Sequence, residues 1–440
     1  MNLAYKFPTI FWNCACLIVD SGGVEVEDSE EDSGRNYDKI ALALNKMKNF
    51  GIEVKPPNIN VSKYTFSPNV QNNTIEYGIN GLTGIGEDIV YKIINNRPYS
   101  SMFDLLKKVN LNKSQMVTLI KSGALDEFGE RRRLMVEYLW YACDKKKRLT
   151  LQNLPSLIKF NLLPITGEYE IAYKIYEFNR YLKSECYIKK SEIYNLDNRA
   201  LQFLYEQELC INDIYNNTLN IKKWDNVYQN YMNLYRAWIA ANKDKILNEL
   251  NTQIFLQEWN KYGNEGNISA WEMESICYYF HEHELAHVDK RKYGISNFFD
   301  LSEEPIIDTI ITRGDKKIPL YKLNVICGTC IGKNKIKSTV TLLTPEGVVN
   351  VKMRKEYFNF FNQQISRRNA DGTKTIIEKS WFNRGNMLLV QGIRRGEEFI
   401  PKKYAHKGNP HQLYRIDKVH KDGTMELRNE RYKGDMEEDE

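Results

Sequence analysis

A mainly α-helical, multidomain chain that ends in an all-β barrel is what the sequence predicts, and three observations predict it. The 440 residues are too many for one typical core, so two to four domains are expected. Apolar residues recur at helical spacing through most of the first 300 positions. After Pro319 the period shortens to that of strands, with five short runs, turn signals such as "GKNK" and "PEG", and one interposed helix.

The segments "PTIFWNCACLIV" and "YDKIALALNKMKNFG" read as two helices joined by an acidic, Gly-containing loop between Asp20 and Asn36, with Gly51 placed to stop the second. The apolar start is broken by Pro8 and Asn13 and never reaches the 18 or so apolar residues that span a bilayer. A buried helix is therefore expected there, with a secretory or lipoprotein signal as the minor alternative. In "IEVKPPNINVSKYTFSPNVQNNTIEYGI", Pro56, Pro57 and Pro68 among short alternating runs indicate extended segments and turns.

Next comes "GINGLTGIGEDIVYKIINNR", where Gly84, Ile85 and Gly86 open a run with Ile89, Val90, Ile93 and Ile94 at helical spacing. Glu87 and Asp88 occupy the first turn, as a helix dipole favours. Two glycines around an aliphatic residue let the backbone turn tightly and leave N–H groups uncovered, where a phosphate can approach. A plain corner between helices would carry the same residues. "NKSQMVTLIKSG" starts at Asn112 with Gln115 three residues on, as in a capping box, and Gly123 is placed to stop that helix. "ALDEFGERRRLMVEYLWYACDKKKR" carries Arg131, Arg132 and Arg133, then Lys145 to Arg148. Alone such runs are solvated faces; beside a phosphate-friendly corner they extend a backbone-binding surface, to which Lys92 and Lys113 are assigned as well.

From about 150 to 300 the pattern is mostly helical and rich in Tyr, Trp and Asn, an aromatic spacing that is more simply core than a base-stacking platform. The strand runs beyond Pro319, with their interposed helix and the pair in "NMLLVQGIRRGEEFIPKKYA", have the arrangement of an OB-type barrel. Such barrels bind single strands through charged grooves and stacked aromatics. Lys333, Lys335, Lys337, Arg394 and Arg395 are the candidate groove residues, against an alternative of exposed loop cations.

Composition is that of a globular protein, 42% hydrophobic and 27% charged. The net charge of +5 points only mildly to an acidic partner, but acid collects in "EVEDSEEDS" and "DMEEDE" and leaves the middle more basic. Eight scattered cysteines give no disulfide framework and favour a reducing cytoplasm. The spacing of Cys327 and Cys330 could be half a zinc site or a redox pair, yet no second CxxC completes it, and ordinary strand cysteines are expected. "YYFHEHELAHV" contains His283, Glu284 and His287 as H-E-x-x-H, which on a helix can build a zinc protease. The metzincin extension would need Gly at Lys290 and His at Tyr293, and Glu303 and Glu304 come early for a third ligand, so coincidence is the expectation; His281 adds an H-x-H alternative.

The order of pieces resembles the C-family replicative DNA polymerases, the alpha subunits of bacterial DNA polymerase III. "AYKFPTIFWNCACL" looks like the family's late-fingers helix, and "GIEVKPPNINVSKYTF", "IEYGINGLTGIGEDIVYKII" and "SMFDLLKKVNLNKSQMVTLIKSGALDEFG" resemble its run from the fingers into a helix–hairpin–helix module. "EMESICYYFHEHELAHV" is similar to a segment whose histidine is structural, and the barrel is similar to the family's OB domain. The likeness is weak between about 150 and 265, and the divergence suggests a phage version. It implies the end of a fingers domain at 1–60, a duplex-binding helix–hairpin–helix module at 61–150, a helical connector at 151–318, the barrel at 319–425 and an acidic tail at 426–440.

By the same resemblance DNA is the partner, as duplex and as single-stranded template, and no membrane is involved. The family's palm carboxylates, which hold two metal ions, have no counterpart here. No catalytic residue and no cofactor is therefore assigned to this chain; Mg2+ is expected in a palm-bearing partner polypeptide, in the cytoplasm of a bacterial host. A sliding-clamp peptide is expected after the module, and "QNLPSL", with Gln152, Leu154 and Leu157, lies in a suitable place, although it lacks the usual leucine-aromatic ending and an apolar linker anchored to the core fits it too. A stand-alone DNA-binding protein is the alternative from another class, and a zinc peptidase the third.

Overall fold

A computed structural model describes residues 9–20, 37–369, 373–404 and 412–431. The chain divides into two compact units, one of residues 1–137 with 263–440 and one of residues 138–262. The acidic loop expected after Asp20 and the end of the acidic tail, from 432 on, lie outside the described residues.

In the first unit, helix α1 (Thr9–Asp20) buries Ile10, Cys14 and Leu17 on one stripe and leaves Phe11, Trp12 and Val19 exposed. Helix α2 (Tyr37–Asn49) buries Ile40, Ala41, Leu44 and Met47, and Gly51 ends it at φ +70°. Strands β1 (Glu53–Lys55), β2 (Ser67–Asn69) and β3 (Thr74–Glu76) form a small sheet in the order β1-β3-β2. Pro68 therefore sits on an edge strand, where its missing N–H disrupts least. Four helices follow: α3 (Glu87–Asn95), α4 (Met102–Lys108), α5 (Lys113–Lys121) and α6 (Arg131–Ala142). The capping box of α5 is formed, with Gln115 N donating to Asn112 Oδ1 at 2.9 Å and Asn112 N donating to Gln115 Oε1 at 3.0 Å.

The second unit contains α7 (Leu154–Lys159), α8 (Glu170–Tyr181), β4 (Ile193–Asn195), α9 (Asn198–Glu206), β5 (Ile214–Tyr215), β6 (Thr218–Asn220) and α10 (Ile221–Tyr262). At 42 residues, α10 is about 63 Å long. Towards its start Trp224 packs with Phe178, Leu182 and Leu204, its indole N–H satisfied by Asn179 Oδ1 at 3.1 Å. Farther along, Met232 and Tyr235 pack with Leu154, Leu157 and Leu163. The sequence predicts a mostly helical region here, and the structure adds a three-stranded sheet of β4, β6 and β5, whose strands of two or three residues are too short to show a period.

Returning to the first unit, α11 (Ile268–Ile276) and the short α12 (Lys290–Tyr293) precede a ribbon of β7 (Ile307–Arg313) and β8 (Lys316–Tyr321). Strand structure thus begins at Ile307, ahead of the predicted start, and Pro319 lies within β8 opposite Ile310. All of β7 is exposed, so no buried face imposes the alternation that sequence patterns detect.

The barrel is built from β9 (Asn324–Asn334), β10 (Thr339–Leu343), β11 (Val348–Lys352), α13 (Lys355–Asn362), a ribbon of β12 (Ile365–Arg368) and β13 (Lys374–Glu378), then β14 (Met387–Arg395) and β15 (Glu398–Pro401). Strands run β15-β11-β10-β9-β14, and β15 closes back onto β14, so five strands form a closed barrel of the OB type. β11 and β15 are parallel, and α13 follows the third barrel strand. β14 shares one edge between β15 and the added strands β16 (Leu413–Val419) and β17 (Met425–Arg428). At Gly392 a Cβ would lie 2.2 Å from Ile400 O, which is why glycine stands where the two backbones converge. Val340, Leu342, Val351, Phe358, Trp381 and Phe399 fill the interior.

Cys330 belongs to this interior, whereas Cys327 packs on another cluster with Leu285, Val288 and Ile416. The two sulfurs thus face different sides of β9, both thiols are free, and burial pushes both upward in pKa, Cys327 to about 12. They are strand cysteines, as expected. Among the described residues no helix is long and apolar enough to cross a membrane.

Candidate nucleic-acid interface

The glycine corner stands at the surface. Gly84 and Gly86 are exposed while Ile85 between them is buried at 1% exposure, so the aliphatic side chain pins the loop and turns the glycine backbone outward. Gly84 has φ +68° with nothing within 4 Å of a built Cβ, and Gly86 is the N-cap of α3, with no side chain to cap it. Among the described residues the amides of Gly84 and Gly86 have no hydrogen-bond acceptor, as befits an uncapped helix start that can receive an anion. Thr83 fixes the corner from behind: its N–H donates to Ser275 O at 2.9 Å and its hydroxyl to Glu274 O at 3.0 Å, both on α11. The carboxylates of Glu87 and Asp88 share the exposed first turn, and Lys92, one turn on, lies 3.7 Å from Asp88.

The second hairpin, between α5 and α6, is closed. Ser122 and Gly123 are buried, and their amides donate to Thr118 O and Ile120 O. Arg131, expected at the binding surface, is instead buried at 4% exposure. Its Nε and Nη2 hold Asp126 at 2.9 Å each, and its Nη1 donates to Glu272 Oε1 at 2.8 Å. Gly123, at φ +82°, leaves the space, because a Cβ there would lie 2.2 Å from Arg131 Nη2. Glu272 is wholly buried and also accepts from the amides of Phe280 and His281, each at 2.9 Å. Of the basic triplet, Arg132 and Arg133 are the exposed members; Arg132 Nε donates to Gly266 O and Arg133 pairs with Glu137 at 3.5 Å. Lys113 is half-buried at the start of α5.

On the barrel, Lys335 and Lys337 are exposed in the β9–β10 turn and Lys333 is half-buried at the end of β9. Arg395 is exposed at the β14–β15 turn. These are the two loops that flank the ligand face of an OB barrel. Arg394 is the second correction: it is 7% exposed, and its guanidinium donates to the carbonyls of Phe298, Phe299 and Leu301 and stacks over Phe298 at 4.6 Å. It fastens the chain entering the barrel and does not face a ligand. The sequence also passed over Arg367, Arg368 and Lys374, exposed on the β12–β13 ribbon; the run "SRRNADGTK" around a turn was the signal available.

The H-E-x-x-H stretch forms a turn and not a helix. Leu285 N donates to His283 Nδ1 at 3.0 Å, so Nε2 carries the ring proton and donates to Leu343 O at 2.9 Å. Neither nitrogen is left for a metal, and burial lowers the His283 pKa to about 4. Glu284 accepts from Tyr279 and Asn267, and burial raises its pKa. His281 lies against Glu272 and His287 is exposed; among the described residues no three His, Cys, Asp or Glu side chains are placed to hold an ion. In the second unit Gln152 is exposed, but Leu154 and Leu157 are wholly buried, as an anchored apolar linker requires.

Residues 51–135 match the family model described as "Helix-hairpin-helix motif". Over 98% of its length the chain is 35% identical to the "DNA-directed DNA polymerase" of Bacillus phage SPbeta, and equally to the "Probable DNA polymerase YorL" of Bacillus subtilis strain 168. It spans about a third (34%) of the length of each. It is also 33% identical over 107 residues to the DNA polymerase III subunit alpha of Bacillus subtilis strain 168, 23% of this chain and 9% of that one. The helix–hairpin–helix module, the OB-type barrel and these relatives agree, and the chain is similar to a C-terminal part of DNA polymerases of the DNA polymerase III alpha kind.

Proposed function

We propose that this chain grips DNA during template-directed synthesis. The corner at Gly84–Gly86 presents backbone amides to phosphates of the duplex, and the exposed cations Lys92, Arg132 and Arg133 add charge near the backbone. Such contacts fix position without reading sequence. Lys335, Lys337 and Arg395, on the two loops of the barrel, guide a single-stranded template. The palm carboxylates and their Mg2+ come from outside these 440 residues, on a palm-bearing polypeptide. A bacterial host's cytoplasm is the setting. The buried Leu154 and Leu157 leave a clamp contact out of this proposal.

One observation supports it above the others: the corner is open to solvent and braced from behind by a buried Ile85 and by Thr83. The test is duplex affinity of the Gly84→Val/Gly86→Val variant, followed by fluorescence anisotropy across a salt series. Affinity should fall at least tenfold, and in the unaltered chain it should fall steeply with salt. Unchanged duplex affinity removes the corner from the interface. Primer extension with a palm-bearing polypeptide then separates a polymerase part from a stand-alone DNA-binding protein, which would bind DNA and give no stimulation.

A further inference from the structure

The unit of residues 138–262 carries a groove of about 920 Å³ between α8 and α9. Its floor is a column of planar groups. Phe203 stacks on Phe178 at 4.0 Å and 18°, Phe178 lies near-parallel to Tyr181 at 6.3 Å and 22°, and the Arg199 guanidinium covers Tyr181 at 4.6 Å. The Tyr181 hydroxyl donates to Asp197, which also caps α9 through Ala200 N, so the ring is held in place. Arg199 is exposed, and the column therefore ends in an open, positively charged plane.

The wall beside this plane has its own departure from regularity. Helix α8 runs straight into a single π-helical turn, Leu182–Cys186, which brings Lys183 and Ser184 to the groove. Such turns are rare and concentrate at functional sites. Arg180 also lines the groove; its pair with Glu177 at 3.0 Å is exposed on both sides and so holds it only weakly.

We propose that this groove binds single-stranded nucleic acid, one base stacking on the Arg199 guanidinium and the neighbouring phosphates taken by Lys183 and Arg180. Unpaired bases stack on guanidinium planes as they do on aromatic rings, and a duplex, with its bases already stacked, offers no such face. An acidic polypeptide would use the charge and have no need of the plane. The choice of polymer rests on the DNA-gripping function proposed above, and the site itself is additional to the corner and the barrel loops.

The test is anisotropy of the full chain with a labelled oligothymidylate and, separately, with a duplex. Arg199→Ala should weaken single-strand binding at least fivefold, and Arg199→Lys, which keeps the charge and loses the plane, should restore less than half of that. Lys183→Ala/Arg199→Ala should reduce the slope of log affinity against log salt by about 0.7, because of the two only Lys183 contacts a phosphate. Duplex affinity should not change in these variants, while Gly84→Val/Gly86→Val should show the opposite pattern. Single-strand affinity unaffected by the double substitution overturns the groove and leaves the corner standing. Full recovery with Arg199→Lys, together with displacement by polyglutamate, reassigns the surface to an acidic polypeptide and also overturns it. Duplex affinity unaffected in the corner variant refutes the corner alone.

Discussion

Replacing Arg131 by alanine separates the buried arginine from its exposed neighbours. The substitution leaves the wholly buried Glu272 carboxylate with His281 and two backbone amides but without the guanidinium at 2.8 Å. Removing one member of a buried ion pair costs about 3–5 kcal/mol, because the remaining charge stays desolvated. The Asp126 side adds little, since that carboxylate is 43% exposed and such pairs are worth about 0–1 kcal/mol. The unit is larger than the roughly 150–250 residues for which 1 kcal/mol moves Tm by about 2–4 °C, so at about 2 °C per kcal/mol the melting transition should fall by roughly 6–10 °C. The assay is urea and thermal unfolding by circular dichroism, with duplex affinity measured where the variant is fully folded. Arg131→Met/Glu272→Gln, which keeps an acceptor for the amides of Phe280 and His281 and leaves no buried charge, should recover at least half of the loss. A cost below about 1 kcal/mol for Arg131→Ala, or a loss of duplex affinity with no loss of stability, would show that Arg131 faces the ligand after all.

His283 is neutral in the fold down to about pH 4, whereas an unfolded histidine charges near 6.5. Its contribution is therefore complete above about 6.5 and is lost as pH falls towards 4, by about 3 kcal/mol in all. His283→Gln should flatten that part of the unfolding free energy against pH; an unaltered profile rules the assignment out. Gly392→Ala drives a methyl against Ile400 O and should destabilise the barrel by about 1–3 kcal/mol, read as a lower urea midpoint. Lys335→Ala/Lys337→Ala should reduce the salt slope of single-strand binding without moving Tm, and Arg394→Ala should lower Tm, since it removes a donor from the carbonyls of Phe298, Phe299, Leu301 and Gly396. Equal effects of the two substitutions on binding would contradict the division between loop cations and buried clamp.

What was legible in the sequence was what short stretches decide for themselves. The Asn112–Gln115 box, the glycine stops at Gly51 and Gly123, and the corner at Gly84 and Gly86 are set by backbone geometry within a few residues. The barrel was legible because its strands are short apolar runs bounded by turn signals; β11 alternates, whereas β9 and β10 are buried on both faces. The fate of the arginine triplet was not, since what buries Arg131 and not Arg132 includes a vacancy at Gly123 and a carboxylate 141 positions away, besides the nearby Asp126. The H-E-x-x-H stretch has the same character: its first histidine is committed by the carbonyl of Leu343, 60 residues downstream. Short strands such as β5, and a strand exposed along its whole length such as β7, bury too little to write a pattern at all.

Helix α11 explains why a buried charge is retained here. Within four residues it supplies the carboxylate of Glu272 to Arg131, the carboxylate of Glu274 to Lys121 and the carbonyls of Glu274 and Ser275 to Thr83. The closed hairpin and the open corner are thereby fixed to one short helix, and a buried ion pair tolerates less slippage than apolar packing of the same volume. Rigidity matters because the corner is a weak anion site by itself: Glu87 and Asp88 stand in the same turn as its amides and oppose a phosphate. On the proposed function that weakness has a use. A duplex that must advance past its holder is better served by a fixed track of modest, sequence-independent contacts than by one strong phosphate pocket, because each strong contact would have to be broken at every step.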